Sequence, residues 1–289
     1  MNNETQLERY KKLVTYIDEN YKEDINIETV EAVCHYSYRN INRIFQAIHK
    51  ETTGKYVKRI RLEKAAAYLI YSEASISDIS YEFGFENLPA FSKAFKKKFN
   101  CSPSSFRKDR KSIQLVRQQT VLTKKGTDRQ KLQFKIEYLE RFEFIFIEYR
   151  GSLSDDDAIK RKWEQLVNYA LTKQIVTNDS IFMTEVIDDD EISDDINFRL
   201  NFSIVLNRPL KFQPNGLFRT KKHEQQKYAK FIHKGSHQST AATYNEIFTL
   251  WMLDVNLEFE DRPILEFYLN DEDDTPTEEL LTEIYIAVK

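Results

Sequence analysis

The chain has 289 residues, 41% hydrophobic and 31% charged, with 43 Lys+Arg against 46 Asp+Glu. That is enough apolar material for folded cores, so a wholly disordered chain is excluded, and no run nears the ~18 apolar residues a membrane helix needs. Met1-Asn2-Asn3-Glu4 does not open a basic-then-apolar leader, and two cysteines, Cys34 and Cys101, cannot build a disulfide framework or a four-ligand zinc site. A cytoplasmic protein without a signal peptide, with reduced structural thiols, is expected.

Charge divides the chain. Residues 1–112 carry 20 basic and 15 acidic side chains, a balance of +5, while residues 113–289 carry 23 and 31, a balance of −8. Residues 93–111 alone hold eight basic side chains and one acid, Asp109. Different partners for the two halves follow, with a polyanion as the candidate for the first.

The first half reads as helices. Leu7, Tyr10, Leu13, Val14, Ile17 and Tyr21 recur at steps of three and four, one face of an amphipathic helix. Ile27, Val30 and Val33 mark a second helix, Ile41, Ile44, Phe45 and Ile48 a third. A long fourth runs through Tyr56, Ile60, Leu62, Ala65, Ala66, Leu69 and Ile70. Ile76, Ile79 and Phe83 mark a fifth ended by Gly84, and Phe91, Ala94, Phe95 and Phe99 a sixth. Ser102-Pro103 opens a seventh that carries Phe106.

Two helix pairs repeat. Ile41, Arg43 and Phe45 match Phe91, Lys93 and Phe95 at an offset of 50. A duplicated helix-turn-helix joined by one long helix is an architecture for reading DNA, with the second helix of each pair in the major groove and the two about 34 Å apart. In the third helix Arg39, Asn42, Arg43 and Gln46 face away from the apolar side. Arg can grip guanine with two hydrogen bonds, and Asn or Gln adenine. In the sixth helix the outward set is Asn87, Leu88, Ser92, Lys93, Lys96 and Lys97. Lys93 is placed to reach a base; Lys96, Lys97 and Lys98 suit phosphates. The competing reading of each face is a solvated helix surface.

Ile60-Arg61-Leu62-Glu63-Lys64-Ala65-Ala66, Ile76-Ser77-Asp78-Ile79, Gly84-Phe85-Glu86-Asn87, Phe91-Ser92-Lys93-Ala94-Phe95-Lys96 and Cys101-Ser102-Pro103 through Arg107 together resemble the double helix-turn-helix domain of the AraC/XylS transcription regulators. The likeness spans roughly residues 6–110. It implies base-reading roles for Arg39, Asn42, Arg43 and Lys93. Two departures stand out. Lys50 and Asn100 occupy the positions where the family often has a helix-ending Gly, and Leu88-Pro89 replaces the polar readers of the second unit. That unit is left to read shape, a thymine methyl, or very little.

Residues 112–131 are polar and read as a linker between a domain at 1–111 and one at 132–289. Residues 134–139 and 142–149 are strands, followed by a break at Arg150-Gly151-Ser152. A helix then carries Ile159, Trp163, Leu166, Val167, Ala170 and Leu171, and strands follow at 181–187 and 198–205, linked by the acidic segment 188–195. The pattern recurs. A strand at 228–233 breaks at Lys234-Gly235-Ser236, a helix carries Tyr244, Ile247, Phe248, Trp251 and Met252, and strands follow at 264–269 and 281–286. The expected fold is therefore a multidomain chain. An all-α double helix-turn-helix domain precedes an α+β domain of two pseudo-symmetric β-α-β-β units, with both helices on one side and a cleft between the halves.

Glu266 sits mid-strand, sharing a face with Ile264 and Tyr268. A carboxylate among aromatics is costly unless it is paired or receives a cation, so an aromatic chamber with one acid suits a lipophilic cation. Trp163, Tyr149, Tyr244 and Trp251 are candidate walls. The alternative is a side chain pointing to solvent. Residues 264–270, then 273–285 with Pro276, together with Tyr149-Arg150-Gly151 and Trp163-Glu164-Gln165-Leu166, resemble the GyrI-like (gyrase-inhibitor-like) ligand-binding domain over about 133–289. The resemblance implies an effector-binding module for hydrophobic or cationic small molecules, with Glu266 as the pocket acid and Tyr149, Trp163 and Tyr268 as plausible companions.

Other constellations carry less. His233 and His237 flank a Gly turn, and neither Asp188-Asp189-Asp190-Glu191 nor Asp271-Glu272-Asp273-Asp274 has the spaced ligands and Gly of a calcium loop. No cofactor, metal or catalytic residue is expected. The reading is a non-enzymatic regulator with promoter DNA, a small-molecule effector and RNA polymerase as partners, and no membrane. The rivals are a GyrI-like small-molecule hydrolase, in which Glu266 and a Tyr polarise water, and a protein-interaction module.

Overall fold

The computed structural model describes residues 5–110, 133–177, 179–189, 193, 197–251, 257 and 259–289. The expected linker at 112–131, Met252 and part of the acidic 188–195 segment lie outside the described residues. The chain forms two compact units, residues 1–111 and 112–289.

The first unit is helical as the periodicity requires: α1 (Gln6–Asn20), α2 (Ile27–Cys34), α3 (Tyr38–His49), α4 (Thr53–Tyr71), α5 (Ile76–Glu82), α6 (Leu88–Phe99) and α7 (103–110). A Thr5/Glu8 capping box starts α1, and Ser102 Oγ accepts the Ser105 amide at the start of α7. Leu13, Val14, Ile17, Val30, Cys34, Ile41, Phe45, Tyr56 and Ile60 form one core. Phe91, Phe95 and Phe106 stack at 5.3–5.4 Å in the second half of the unit. The 19-residue α4 joins them; at 1.5 Å per residue it spans about 28 Å. Its Arg59 meets Glu51 at 2.9 Å and Glu63 at 3.0 Å, and Glu63 meets Lys98 of α6 at 3.0 Å. This nearly buried ionic chain ties the exit of the first helix pair to the second. Lys50 and Asn100 both end their helices in the left-handed region, at φ 59°.

The second unit is one eight-stranded antiparallel sheet with helices on one face. Its strands are β1 (Phe134–Leu139), β2 (Phe142–Arg150), β3 (Phe182–Val186), β4 (Arg199–Val205), β5 (Phe218–His223), β6 (Gln226–Lys234), β7 (Ile264–Tyr268) and β8 (Leu281–Ala287). The order β1-β6-β8-β7-β3-β4-β2-β5 is palindromic about the β7/β3 pair: β6-β8-β7 mirrors β2-β4-β3. Two β-α-β-β units therefore share a pseudo-twofold axis between β7 and β3. The sequence reading lacked β5, and the two lead strands are exchanged: β1 pairs with β6 and β5 with β2.

Helix α8 (Asp156–Thr172) packs Leu166 and Ala170 onto Ile145, Ile147, Leu200, Phe202 and Ile204. Leu171, expected on that apolar face, is exposed. Its counterpart runs, over the described residues, as a 3-10 turn (His237–Ser239), α9 (Thr240–Glu246) and a π-helical turn (Ile247–Trp251). The Gly breaks are equivalent. Gly151 and Gly235 have φ of 153° and 132°, and a Cβ at either would lie 2.8 Å from a side-chain oxygen, Tyr149 Oη or Ser239 Oγ. Each follows a residue whose polar tip reaches the next Ser carbonyl, Tyr149 to Ser152 at 2.7 Å and His233 to Ser236 at 3.1 Å.

Candidate functional site

The amphipathic wheel of α3 leaves Arg39, Arg43 and Gln46 exposed. Asn42 is differently engaged. Its Oδ1 accepts the Thr53 amide at 2.8 Å and the Thr53 hydroxyl at 2.7 Å, so its carbonyl satisfies the N-terminus of α4 and only its amide NH2 remains for a base. Asn87 caps α6 by accepting the Ala90 amide at 2.8 Å. Lys93, Lys96 and Lys97 are exposed, whereas Lys98 is turned into the ion pair with Glu63. Leu88 is half-buried; Pro89 and Ala90 are exposed.

In the second unit the strand register places Glu266 in one row across the helix-covered face: Phe134, Phe231, Ile284, Glu266, Thr184, Phe202, Ile147 and Phe218. Glu266 is the single charge in that row and lies beside the pseudo-twofold axis, opposite Thr184. Tyr244 of α9 donates to Glu266 Oε1 at 2.7 Å, and Tyr268 donates to Oε2 at 3.2 Å. The Tyr268 oxygen also lies 2.7 Å from Thr184 Oγ1. A phenol has one proton, so Thr184 donates to Tyr268 and Tyr268 to Glu266. Trp163 of α8 stands 5.8 Å from Tyr268 and stacks on Phe202 at 4.7 Å. His237 closes the other side, 4.6 Å from the Tyr268 ring.

Glu266 is half-buried. Desolvation raises its pKa above the ordinary 4.5, and the two tyrosine hydroxyls oppose that rise. Other sheltered acids of this unit meet cations. Glu148 bonds Arg150 at 3.3 Å and Arg219 at 3.2 Å, Glu185 bonds Lys221 at 2.8 Å, and Asp188 bonds Arg199 at 2.7 Å. Burial pushes Glu148 up, but its arginines outweigh this and hold it at about 2. Among the described residues Glu266 is met by hydroxyls alone.

Of the expected companions, Tyr268, Trp163 and Tyr244 gather at Glu266; Tyr149 and Trp251 do not. Tyr149 lies on β2, three strands from β7, about 14 Å at the usual strand spacing. Trp251 packs on Phe231 and Phe134 at 4.7 and 5.1 Å, on the same face but over β6 and β1, at least two strands from β7. Thr184 and His237 were missed; Thr184 is visible only once β3 is registered against β7. An open cleft of about 450 Å³ lies elsewhere, lined by Ile147, Gln165, Asn168, Tyr169, Leu217 and Phe218 at the β5 edge. No group of three His, Cys, Asp or Glu among the described residues could hold a metal, and no described helix is long and apolar enough to cross a membrane.

A GyrI-like small molecule binding domain matches residues 132–289, and a helix-turn-helix domain matches residues 31–109. The chain is 35% identical over 95 residues to the bifunctional transcriptional activator/DNA repair enzyme AdaA of Bacillus subtilis, covering 33% of this chain and 45% of AdaA. It is 33% identical over 95 residues to the regulatory protein SoxS of Salmonella typhimurium, covering 33% of this chain and 89% of SoxS. Over 109 residues it is 32% identical to the transcriptional activator RhaS of Escherichia coli, 38% of this chain and 39% of RhaS. The chain thus spans under half the length of AdaA and RhaS. A solved EcmrR–DNA complex aligns over 86% of this chain and 98% of EcmrR, at 16% identity and a TM-score of 0.48, too distant a likeness to carry function. The match over residues 132–289 makes the chain a member of the GyrI-like small molecule binding domain family, with an AraC-type helix-turn-helix domain ahead of it.

Proposed function

We propose that the chain regulates transcription by binding promoter DNA through residues 1–111, under control of a hydrophobic cation held at Glu266. One observation carries the effector half of this reading. Glu266 is the sheltered acid of the sheet whose bonds come from hydroxyls and whose surroundings are aromatic. A carboxylate in such a place gains most from a ligand that brings the missing positive charge. Tyr244, Tyr268 and Trp163 offer ring faces for cation–π contact, worth about 0.5–2 kcal/mol each. The exposed Arg39, Arg43 and Gln46 of α3 support the DNA half.

Titrating the full chain with tetraphenylphosphonium by calorimetry tests the pocket. Glu266→Gln keeps the shape and one of the two accepting oxygens, puts an NH2 donor in place of the other and removes the charge, and should weaken binding at least tenfold. Equal affinity for wild type and Glu266→Gln would refute the assignment of the cation to this acid.

A further inference from the structure

The two reader helices are alike in frame and unlike in chemistry. Both α3 and α6 are 12 residues long and end on a left-handed residue. At the offset of 50, Ile41 and Phe45 are buried as Phe91 and Phe95 are. The outward positions are exposed in both helices: Arg39 matches Pro89, Arg43 matches Lys93, Gln46 matches Lys96 and Ala47 matches Lys97. Where α3 presents forked or amide heads, α6 presents a ring, a methyl group at Ala90 and three ammonium groups.

Base edges are contacted chiefly by the first turns of a reader helix. In α6 hydrogen-bonding heads are few at that turn: Asn87 keeps only its amide NH2, and Ser92, in the place of Asn42, is half-buried. Asn87 Oδ1 holds the Ala90 amide, Leu88 is half-buried, and proline has no N–H. The exposed surface there is the Pro89 ring and the Ala90 methyl. The one apolar group on a base edge in the major groove is the thymine 5-methyl. Lys93, Lys96 and Lys97 are point charges without a fork and suit phosphates.

We infer that Pro89 and Ala90 are specificity-determining residues that read thymine methyls, while the lysines behind them hold the backbone. This rests on the proposal that residues 1–111 bind DNA. The binding site is then unsymmetrical: a half-site read by hydrogen bonds under α3, and a thymine-bearing half-site under α6.

The test begins with selection of duplexes from a random pool by the full chain. Each thymine of the enriched site is then replaced singly by deoxyuridine, which removes the methyl and nothing else. Arg43→Ala identifies the α3 half-site by the base pair at which discrimination is lost. In the other half-site, one or two deoxyuridine replacements should weaken binding about fourfold each, the value of one buried methyl-sized group. Ala90→Gly, and separately Pro89→Ser, should bind the thymine and deoxyuridine duplexes alike at the affected position. An enriched site whose second half tolerates every deoxyuridine, with Arg43→Ala still weakening binding, would overturn the inference and leave DNA binding standing. Failure to enrich any site would remove both.

Discussion

Glu266 and Glu148 show how one residue type is turned to different ends by its neighbours. Glu148 is held as an anion by Arg150 and Arg219, well below the ordinary carboxylate value. Glu266 is displaced the other way, because burial costs its charged form more than two hydroxyl bonds return. The raised pKa fixes the sign of two pH effects. Burial favours the protonated form more in the folded chain than in the unfolded one, so Glu266 adds stability at low pH that is lost as pH rises through its folded value, above 4.5. A cation needs the ionised form, so its affinity should climb over that same interval. Calorimetric titrations with tetraphenylphosphonium, carried upward from the acid side of 4.5, should show the climb in wild type and a flat profile in Glu266→Gln. A flat wild-type profile would mean that Glu266 does not face the ligand.

At the scale of elements, α3 divides its outward face between two tasks. Asn42 supports α4 and Arg43 does not, so truncating them should have different consequences. Asn42→Ala removes an acceptor for the first turn of α4 and should cost about 1 kcal/mol of stability, read by thermal or denaturant unfolding. Arg43→Ala should leave unfolding unchanged and lower affinity for a selected duplex by about 1–3 kcal/mol. Loss of stability from Arg43→Ala, or none from Asn42→Ala, would reverse the division. A helical wheel cannot reveal it, because the partner Thr53 is eleven residues along the chain. The helices themselves were legible, since their apolar stripes are local. The β-α-β-β repeat was legible from its Gly breaks and aromatic strands. Strand β5 was not: Phe218-Arg-Thr-Lys-Lys-His223 has no apolar alternation, and its Arg219 and Lys221 are accommodated by Glu148 on the neighbouring β2 and Glu185 on β3. An edge strand rich in charge is a familiar guard against unwanted pairing. The same limit hid the geometry of the pocket. Glu266 stood out by its setting in an apolar strand, but choosing its companions needed the strand order, which moves Tyr149 and Trp251 away and brings Thr184 in.

Across the whole molecule, duplication is used twice with opposite outcomes. Two helix pairs keep one frame and diverge on their reading faces. Two β-α-β-β units keep one frame and meet at an axis where a single acid breaks the symmetry, Glu266 facing Thr184. In the proposed function each duplication builds a site neither copy has alone. For the cation site to govern the DNA site, the ligand must favour one state of the chain over another, since equal affinity for all states shifts nothing. Any such coupling is reciprocal and typically changes affinity about 5- to 150-fold. The most direct test measures the affinity of the full chain for its selected duplex by fluorescence anisotropy, with and without saturating tetraphenylphosphonium. The account predicts a shift of at least fivefold in wild type, matched by an equal shift in phosphonium affinity when DNA is bound, and absent in Glu266→Gln. Duplex affinity that stays constant while the pocket fills would contradict it.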